Sequence, residues 1–478
     1  LGMKSVPICI VFPPELYEGS KSLEDGDSVI RVFRQIFVDV NRSAKRVSES
    51  RNILLNERDL IAEFTRTIMD EFLSEDDLDE EDVCSKDEVP LYCFEWDSPE
   101  KREFQISDPR AISSVGVLND CIDRLLLRGK DDYGHFRGEL SIEEGIAAVD
   151  PESAGKSGVS PNRITPLRFE NWQQDYIRDQ FETRWKEAIM VVIRDMFPSR
   201  EMISELEDKR VELTQDKSDE EDKLATHSLE YLLGSRSDRE QIRRVSKLSE
   251  DWVGRFQPSA CKKAVEAMDT FLSDTEARIK NGPFSRLFFS NLGQTEIFEV
   301  VYQIILGNVD KEPSSPVEIG RAFVSDFNEA FDGRASCLEL FKSDKEWNLH
   351  TIDKLGKQSW KQNHMKGLLL ITPCFFSSKP NMLKYFDSMD NWRETITDLY
   401  KLSAVNDDAY IRESLSSRLP NKLKNEDDIR VITDSSKRRK ELNKKVSEET
   451  DRIIGEMLDF VINAGNPPET VQKLLSRE

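Results

Sequence analysis

Histidine is scarce in this chain, with four residues in a sequence of 478. So small and scattered a set argues against a His-rich metal site and against an obvious Ser/His/Asp arrangement. The seven cysteines form no Cys-x-x-Cys pair, so neither a thiolate zinc site nor a disulfide framework is indicated. We therefore predict no metal site and expect a reducing intracellular compartment, the cytoplasm or alternatively the nucleus. The histidines are His135, His227, His350 and His364.

Long apolar runs are also missing. The longest ones, Val300–Leu306 and Leu368–Phe376, fall well short of the roughly 20 residues that span a bilayer. We therefore predict no membrane-spanning segment and no membrane partner.

A complete phosphate-binding loop is absent as well. The segment Ala154-Gly155-Lys156-Ser157 resembles the end of such a loop, but Asp150 stands where the first glycine is required. Gly158 and Pro161 would also stop the helix whose N-terminus should hold the phosphate. We therefore expect a plain loop here, and we predict no cofactor and no catalytic residue in the chain.

Acidic residues outnumber basic ones, 91 against 68, and the formal net charge is −23. Hydrophobic residues make up 38% of the chain, with 25 Phe and 7 Trp, which is enough to build real cores in a globular protein. An acidic protein repels polyanions through its summed field. Contact with nucleic acid would therefore depend on a local basic patch.

The hydrophobic pattern predicts a mostly α-helical protein, α+β with a minor β component, in three regions. Residues 1–107 are expected to form a strand-helix-hairpin region. In it Val6–Phe12 is a strand, a helix follows from about Asp27, and Val89–Trp96 and Arg102–Ser107 form a β-hairpin. Between them, Leu60, Ile61, Phe64, Ile68 and Phe72 are spaced as one apolar face and predict a second amphipathic helix. The acidic run within 74–88 lacks the glycine and the spacing of a calcium loop, so it is predicted to be a solvated linker.

Beyond residue 107 the periodicity is overwhelmingly helical. Residues 108–335 are predicted to be a helical domain, and residues 336–478 a C-terminal helical region with basic segments. The apolar run Leu368–Phe376 is expected to be a strand. The main predicted helices are Ile112–Leu127, Phe169–Phe197, Ser237–Phe256, Ser259–Lys280, Phe284–Leu306 and Ser435–Ala464.

The segment Lys354–Lys366 reads KLGKQSWKQNHMK and contains no acidic residue. Its lysines could neutralise phosphates while an aromatic ring stacks on an exposed base, the combination used to bind single-stranded nucleic acid. The alternative is a surface loop anchored by a core tryptophan. The candidate RNA-binding residues are Lys354, Lys357, Trp360, Lys361, His364 and Lys366.

A second basic segment opens the last long predicted helix. It comprises Lys437, Arg438, Arg439 and Lys440. Clustered cations are unfavourable at the positive end of the helix dipole unless an anion compensates them. Asp434 and the later glutamates could supply that compensation and produce a salt-bridged, solvated helix face. Nuclear import and phosphate contact are the alternatives.

Three segments, in order, carry a resemblance to a known family. Val6–Phe12 is followed by an acidic N-cap and by the Arg-bearing helix Val29–Val47, and Glu296–Lys311 is an apolar helix that ends in Leu-Gly-Asn-Val. Within Ser343–Lys361, a Gly-Lys-x-x-Trp-Lys element occupies residues 356–361. Together these segments resemble the region that follows the endonuclease in the large (L) polymerase proteins of phenuivirus-type segmented negative-strand RNA viruses.

The chain also departs from that family. The ordered His, Pro-Asp, acid and Lys set of the endonuclease is missing, and so is the Ser-Asp-Asp turn of the polymerase palm. The resemblance therefore implies a non-catalytic helical portion that supports the polymerase active site and helps to hold the RNA promoter. The alternative prediction is an intracellular helical adaptor that binds protein partners.

Overall fold

The structure is a computed structural model that describes residues 49–56, 59–73, 89–96, 106–127, 133–149, 171–214, 219–249, 253, 255–306, 316–331, 335–338 and 426–464, with shorter pieces between 369 and 423. The predicted strand Val6–Phe12, the helix from Asp27 and the acidic linker at 74–88 lie outside the described residues.

The described chain is mostly helical, which confirms the predicted fold class. The first helices are α1 (Glu49–Leu55), α2 (Leu60–Met69), α3 (Val115–Leu127), α4 (Tyr133–Glu139), α5 (Ile142–Val149), α6 (Asn171–Phe181), α7 (Glu187–Asp195) and α8 (Phe197–Thr214). They are followed by α9 (Asp219–Leu233), α10 (Arg236–Val245), α11 (Pro258–Ile279), α12 (Pro283–Phe288), α13 (Asn291–Leu306), α14 (Pro316–Phe331), α15 (Ala335–Leu338), α16 (Asp427–Arg430) and α17 (Ser435–Ala464).

In the described residues the β-strands form two short parallel pairs. β1 (Phe72–Leu73) pairs with β2 (Val89–Pro90), and β3 (Phe94–Glu95) pairs with β4 (Ser113–Ser114). The prediction of one continuous strand over Val89–Trp96 was wrong, because a 3₁₀ turn over Leu91–Cys93 separates β2 from β3. Pro90 accounts for the break, since it has no N–H to continue a ladder and its φ of −65° leads into the turn. Residues 102–105 of the predicted hairpin lie outside the described residues.

Helix α2 illustrates how local signals and packing agree. The carboxylate of Asp59 caps it by accepting a hydrogen bond of 2.9 Å from the backbone N–H of Ile61. The apolar face predicted from the sequence is buried, and Phe64 on that face stacks on Phe181 with ring centroids 4.1 Å apart. This stacking ties α2 to the end of α6.

Two predicted long helices are interrupted. A π-helical turn over Glu182–Lys186 separates α6 from α7, and the extended backbone of Met196 then ends α7. Pro198 begins α8 instead of ending the previous helix, because proline is tolerated in a first helical turn whose N–H groups have no partner. The predicted helix Phe284–Leu306 likewise divides into α12 and α13.

Further predictions fall on described residues. The helix predicted over Ser237–Phe256 was wrong beyond Val245, where α10 ends, and Val253 and Phe256 form an isolated antiparallel bridge. In Leu368–Phe376, the described residues Leu369, Thr372 and Phe376 are helical and fully buried, so the predicted strand was wrong. Their spacing of three and four residues is that of one helical face. The predicted helix Ser435–Ala464 is confirmed with the same bounds.

Buried apolar side chains form one connected core that extends from Ile53 to Tyr385. Its largest fully buried member is Trp185, in the π turn. Phenylalanines join the later helices, for example Phe284 of α12 and Phe327 of α14, whose ring centroids lie 4.9 Å apart. The three predicted regions, with their boundaries after residues 107 and 335, stay a prediction.

Candidate functional site

A groove of about 950 Å³ lies where three parts of the chain meet. Its walls are residues 91–96 with 107–110, the corner between α9 and α10, and the middle of α11. We call it the acid-rimmed groove. Its apolar lining consists of Leu91, Phe94, Trp96, Pro109, Leu233 and Leu272, and its charged lining consists of Glu95, Asp108, Arg110, Arg236, Asp238, Arg239, Glu240, Arg243, Asp269 and Glu276.

Gly234 and Ser235 set the corner between α9 and α10. The N–H of Gly234 donates to the carbonyl of Glu230 at 3.0 Å, and a Cβ on Gly234 would overlap that carbonyl oxygen. Ser235 then starts α10 through a capping box with Asp238, in which each side chain binds the other residue's backbone N–H. The direction of α10 is therefore fixed by local chemistry.

One face of α10 points at the groove. Arg236, Arg239 and Arg243 are spaced by three and four residues, so they lie on the same side of the helix, and all three line the groove. They differ in exposure, because the side chains of Arg236 and Arg243 are about half exposed whereas that of Arg239 is 12% exposed.

Asp108 is the centre of a buried ion-pair cluster on the groove wall. Its carboxylate accepts hydrogen bonds from Nη2 of Arg110 at 3.0 Å and from both terminal nitrogens of Arg239. Burial alone would raise the pKa of Asp108, but the two guanidinium charges hold that pKa well below its ordinary value. One buried carboxylate is thus paired with two buried guanidinium groups.

Arg110 joins this cluster to the helix corner. Its Nη1 donates to the carbonyl oxygens of Leu232, the last but one residue of α9, and of Gly234, the latter at 3.2 Å. The same side chain therefore neutralises Asp108 and supplies hydrogen bonds to carbonyls at the C-terminal end of α9, where cations are favoured.

Lys280 supports the cluster from behind. Its Nζ donates to the carbonyl oxygens of Asp108 at 2.8 Å and Ala111 at 2.9 Å, and it lies 4.9 Å from the ring centroid of Phe289. Burial lowers the pKa of Lys280 to about 8, although the charges of Asp108 and Glu276 act in the opposite direction. This lysine has two carbonyl acceptors and lies within the core, so its role is structural.

Glu95 fixes the loop that presents Asp108. Its buried carboxylate accepts hydrogen bonds from the N–H and the hydroxyl of Ser107, both at 2.6 Å, and from the N–H of Asp108 at 3.0 Å. This wall of the groove is therefore held by hydrogen bonds that β3 makes to the following loop.

The rim of the groove carries more acid than base. Two rim pairs are neutralised, Arg236 with Glu240 at 3.6 Å and Arg243 with Asp269 at 2.7 Å. Asp238 accepts its hydrogen bonds from Ser235, which is uncharged. Counted over the described lining, six carboxylates face four guanidinium groups, so the formal charge of the groove is −2.

No family model, no curated protein and no solved structure matches this chain. The resemblance to viral L proteins therefore rests on the three sequence segments alone, and the site has to be interpreted from its own geometry.

The first predicted site lies outside the described residues. This applies to Lys354, Lys357, Trp360, Lys361, His364 and Lys366. Their RNA-binding role stays a prediction.

The second predicted site is described, at the start of α17. Lys437, Arg439 and Lys440 are exposed and Arg438 is partly buried. Asp434 caps the helix, because its carboxylate accepts hydrogen bonds from the backbone N–H groups of Ser436 at 2.8 Å and Lys437 at 3.0 Å.

Ion pairs to the basic side of α17 occur one or two turns later. Lys444 pairs with Glu448 at 3.8 Å, and Lys445 pairs with Glu426 at 2.7 Å. Among the described residues, Lys437, Arg439 and Lys440 have no such acidic partner. The salt-bridged helix face predicted from the sequence thus exists at Lys444 and Lys445 and does not extend to these three cations.

The described cysteines and histidines do not assemble into a metal site. Cys93, Cys121, Cys261 and Cys337 are buried free thiols, and no group of three or more His, Cys, Asp or Glu side chains in the described part is placed to hold a metal ion. His135 lies against Tyr302, and Nδ1 of His227 lies 3.1 Å from the carboxylate of Glu230. In the same part of the chain, no helix is both long and apolar enough to cross a bilayer.

Reasoning from the sequence missed the acid-rimmed groove. Arg239 and Lys280 meet Asp108 across 131 and 172 residues, and no local spacing reveals such pairs. One signal was available, because arginines at 236, 239 and 243 share a helical face. That pattern indicates a basic face but not the acids that oppose it.

Proposed function

We propose that this protein is a non-catalytic helical scaffold that binds RNA phosphates, as a portion of a viral L-type polymerase supporting the promoter would. The observation that carries the proposal in the described chain is the exposed cation group of Lys437, Arg439 and Lys440 in a protein of net charge −23. A reducing cytoplasmic location accords with the buried free thiols.

The position of these cations favours an external anion. They lie within the first two turns of a 30-residue helix, where the dipole is positive and cations are disfavoured. Asp434 supplies one negative charge through its cap, against three exposed cations without acidic partners among the described residues. A phosphate backbone would supply the missing negative charge, and Lys354–Lys366 would extend the contact.

The test is the salt dependence of binding to a labelled single-stranded RNA, measured by fluorescence anisotropy with the full chain. Each lysine–phosphate contact adds about 0.7 to the slope of log affinity against log salt. Reversing two charges, as in Arg439→Glu/Lys440→Glu or in Lys357→Glu/Lys361→Glu, should lower the slope by about 1.4 and weaken binding at low salt.

A matched control separates local contact from net charge. Lys262→Glu/Lys263→Glu makes the same charge change on exposed positions of α11 and should leave the slope unchanged. Absence of binding at low salt, or equal loss in the control variant, would overturn the RNA-binding proposal.

The groove favours a second candidate function, a helical adaptor that binds other proteins. Its lining is about half apolar and its rim is acidic, which is typical of a surface that binds proteins. RNA is disfavoured there, because its phosphates would be repelled by the carboxylates. Purification of one stoichiometric protein partner, retained after nuclease treatment, would support the adaptor. A purified chain that remains free of partners and binds RNA would oppose it.

A further inference from the structure

The acid-rimmed groove pairs an apolar interior with unequal charge at its edge. Leu91, Trp96 and Leu233 are partly exposed in it, so apolar surface faces the groove instead of being sealed in the core. Exposed apolar surface framed by polar groups is the usual form of a binding site.

Two carboxylates of the lining, one on α10 and one on α11, form no salt bridge in the described part of the chain. Asp238 on α10 is bound only by Ser235, and Glu276 on α11 makes no ion pair among the described residues. The neighbouring acids Glu240 and Asp269 are already paired with arginines, so the surplus of the rim resides mainly in these two side chains.

We propose that the acid-rimmed groove binds a peptide segment of another protein in which an apolar side chain is flanked by lysine or arginine residues. The apolar side chain fills the space between Trp96, Leu233 and Leu272, and the flanking cations meet Asp238 and Glu276. Trp96 is partly exposed in the groove, so an arginine of the partner would be able to contact its indole. This inference rests on the adaptor function and names its partner class, and it is independent of RNA binding at α17.

The walls are built to keep this shape without a ligand. One wall is held by the Glu95 and Asp108 hydrogen bonds, and the corner of α10 is fixed by its capping box. A preformed groove spares the partner most of the ordering cost on the receptor side, so a short peptide can bind measurably.

The experiment uses the full chain and three fluorescein-labelled peptides. GKRLLRKG carries both features, GKRSSRKG keeps the cations without the apolar side chains, and GEELLEEG keeps the apolar side chains with opposite charge. We expect saturable binding of the first peptide, at least tenfold weaker binding of the second and no binding of the third.

Variants locate the contact. Ser273 is exposed on the groove side of α11, so Ser273→Trp fills the groove and should weaken GKRLLRKG binding at least tenfold. Ala267→Trp places the same ring on an exposed position of α11 outside the groove lining and should leave affinity unchanged. Asp238→Asn/Glu276→Gln should weaken binding about fivefold and reduce its salt dependence.

Other outcomes would overturn the proposal. Equal affinity for GKRSSRKG would show that charge attraction alone drives binding. Unchanged affinity in Ser273→Trp would place the contact outside the groove. Displacement of the peptide by single-stranded RNA would make the groove an RNA site. If Ser273→Trp still co-purifies with a stoichiometric protein partner, the groove assignment fails while the adaptor function stands.

Discussion

Replacement of Asp108 by asparagine is the sharpest test of the cluster that shapes the groove. The change preserves side-chain size but removes the one carboxylate that lies between Arg110 and Arg239, whose side chains are 5% and 12% exposed. Two like charges would then face each other in a poorly hydrated site. Breaking a buried pair in this way costs about 3–5 kcal/mol, because the remaining charge is desolvated without compensation.

The expected loss of stability in Asp108→Asn is a large fraction of the total free energy of unfolding. A typical domain is stable by about 5–15 kcal/mol, so Asp108→Asn should remove about a fifth or more of the free energy of unfolding. At about 2–4 °C per kcal/mol, the thermal midpoint should fall by roughly 6–20 °C. Circular dichroism at 222 nm measures this directly, since the described chain is mostly helical.

The matched control is Glu240→Gln. Glu240 pairs with Arg236 at 3.6 Å, but both side chains are about half exposed, so its removal should cost less than about 1 kcal/mol. A double variant, Asp108→Asn/Arg239→Met, removes one of the two stranded cations and should recover part of the loss.

The pH dependence follows from the lowered pKa of Asp108. The contribution of this carboxylate is fully present above the unfolded pKa of about 4 and is lost as pH falls towards the lower folded pKa. The stability gap between the natural chain and Asp108→Asn should therefore narrow below pH 4. A gap under about 1 kcal/mol at pH 7 would refute the reasoning, because it would mean that water reaches the arginines.

Two further predictions concern the core around the site. Because burial lowers the pKa of Lys280 to about 8 from 10.5, the unfolded chain binds more protons between these values, and Lys280 should add about 2 kcal/mol of stability from pH 8 to pH 10. In urea titrations, Lys280→Met should lack this increment, and parallel pH profiles would contradict the prediction. Gly293→Ala should destabilise the protein by about 1–3 kcal/mol, because its Cβ would overlap the carbonyl of Leu287. Gly320→Ala is the control, since Ala188 lies 3.6 Å from the added Cβ and helix propensity favours alanine by up to about 1 kcal/mol. Equal midpoints for the two alanine variants would argue against the close approach at Gly293.

Local pattern was enough to predict the helices whose ends are marked chemically. α17 has Asp434 as its cap, and α2 has Asp59 as its cap and a continuous apolar face. Both helices were predicted from apolar residues at helical spacing, and the structure adds the capping side chains. The same local approach failed for Leu368–Phe376, since a short apolar run has no periodicity that separates a strand from a buried helix.

Pro198 shows a second kind of limit. A proline after a long apolar helix predicts an end, and the helix does end nearby, at Met196. The sequence does not show whether the proline follows one helix or starts the next, because neither position requires the backbone N–H that proline lacks. The groove is harder still to predict from local sequence patterns, because Asp108, Arg239 and Lys280 belong to three distant segments.

The two proposed binding surfaces have opposite charge, and this makes them separable. RNA is repelled by the carboxylates of the acid-rimmed groove, whereas a basic peptide is repelled by Lys437, Arg439 and Lys440. Ser273→Trp should therefore affect peptide binding alone, and Arg439→Glu/Lys440→Glu should affect RNA binding alone. If each variant weakened both ligands in a protein with an unchanged thermal midpoint, the sites would be energetically coupled, and saturating the chain with peptide would have to change its RNA affinity by the same factor as RNA changes its peptide affinity.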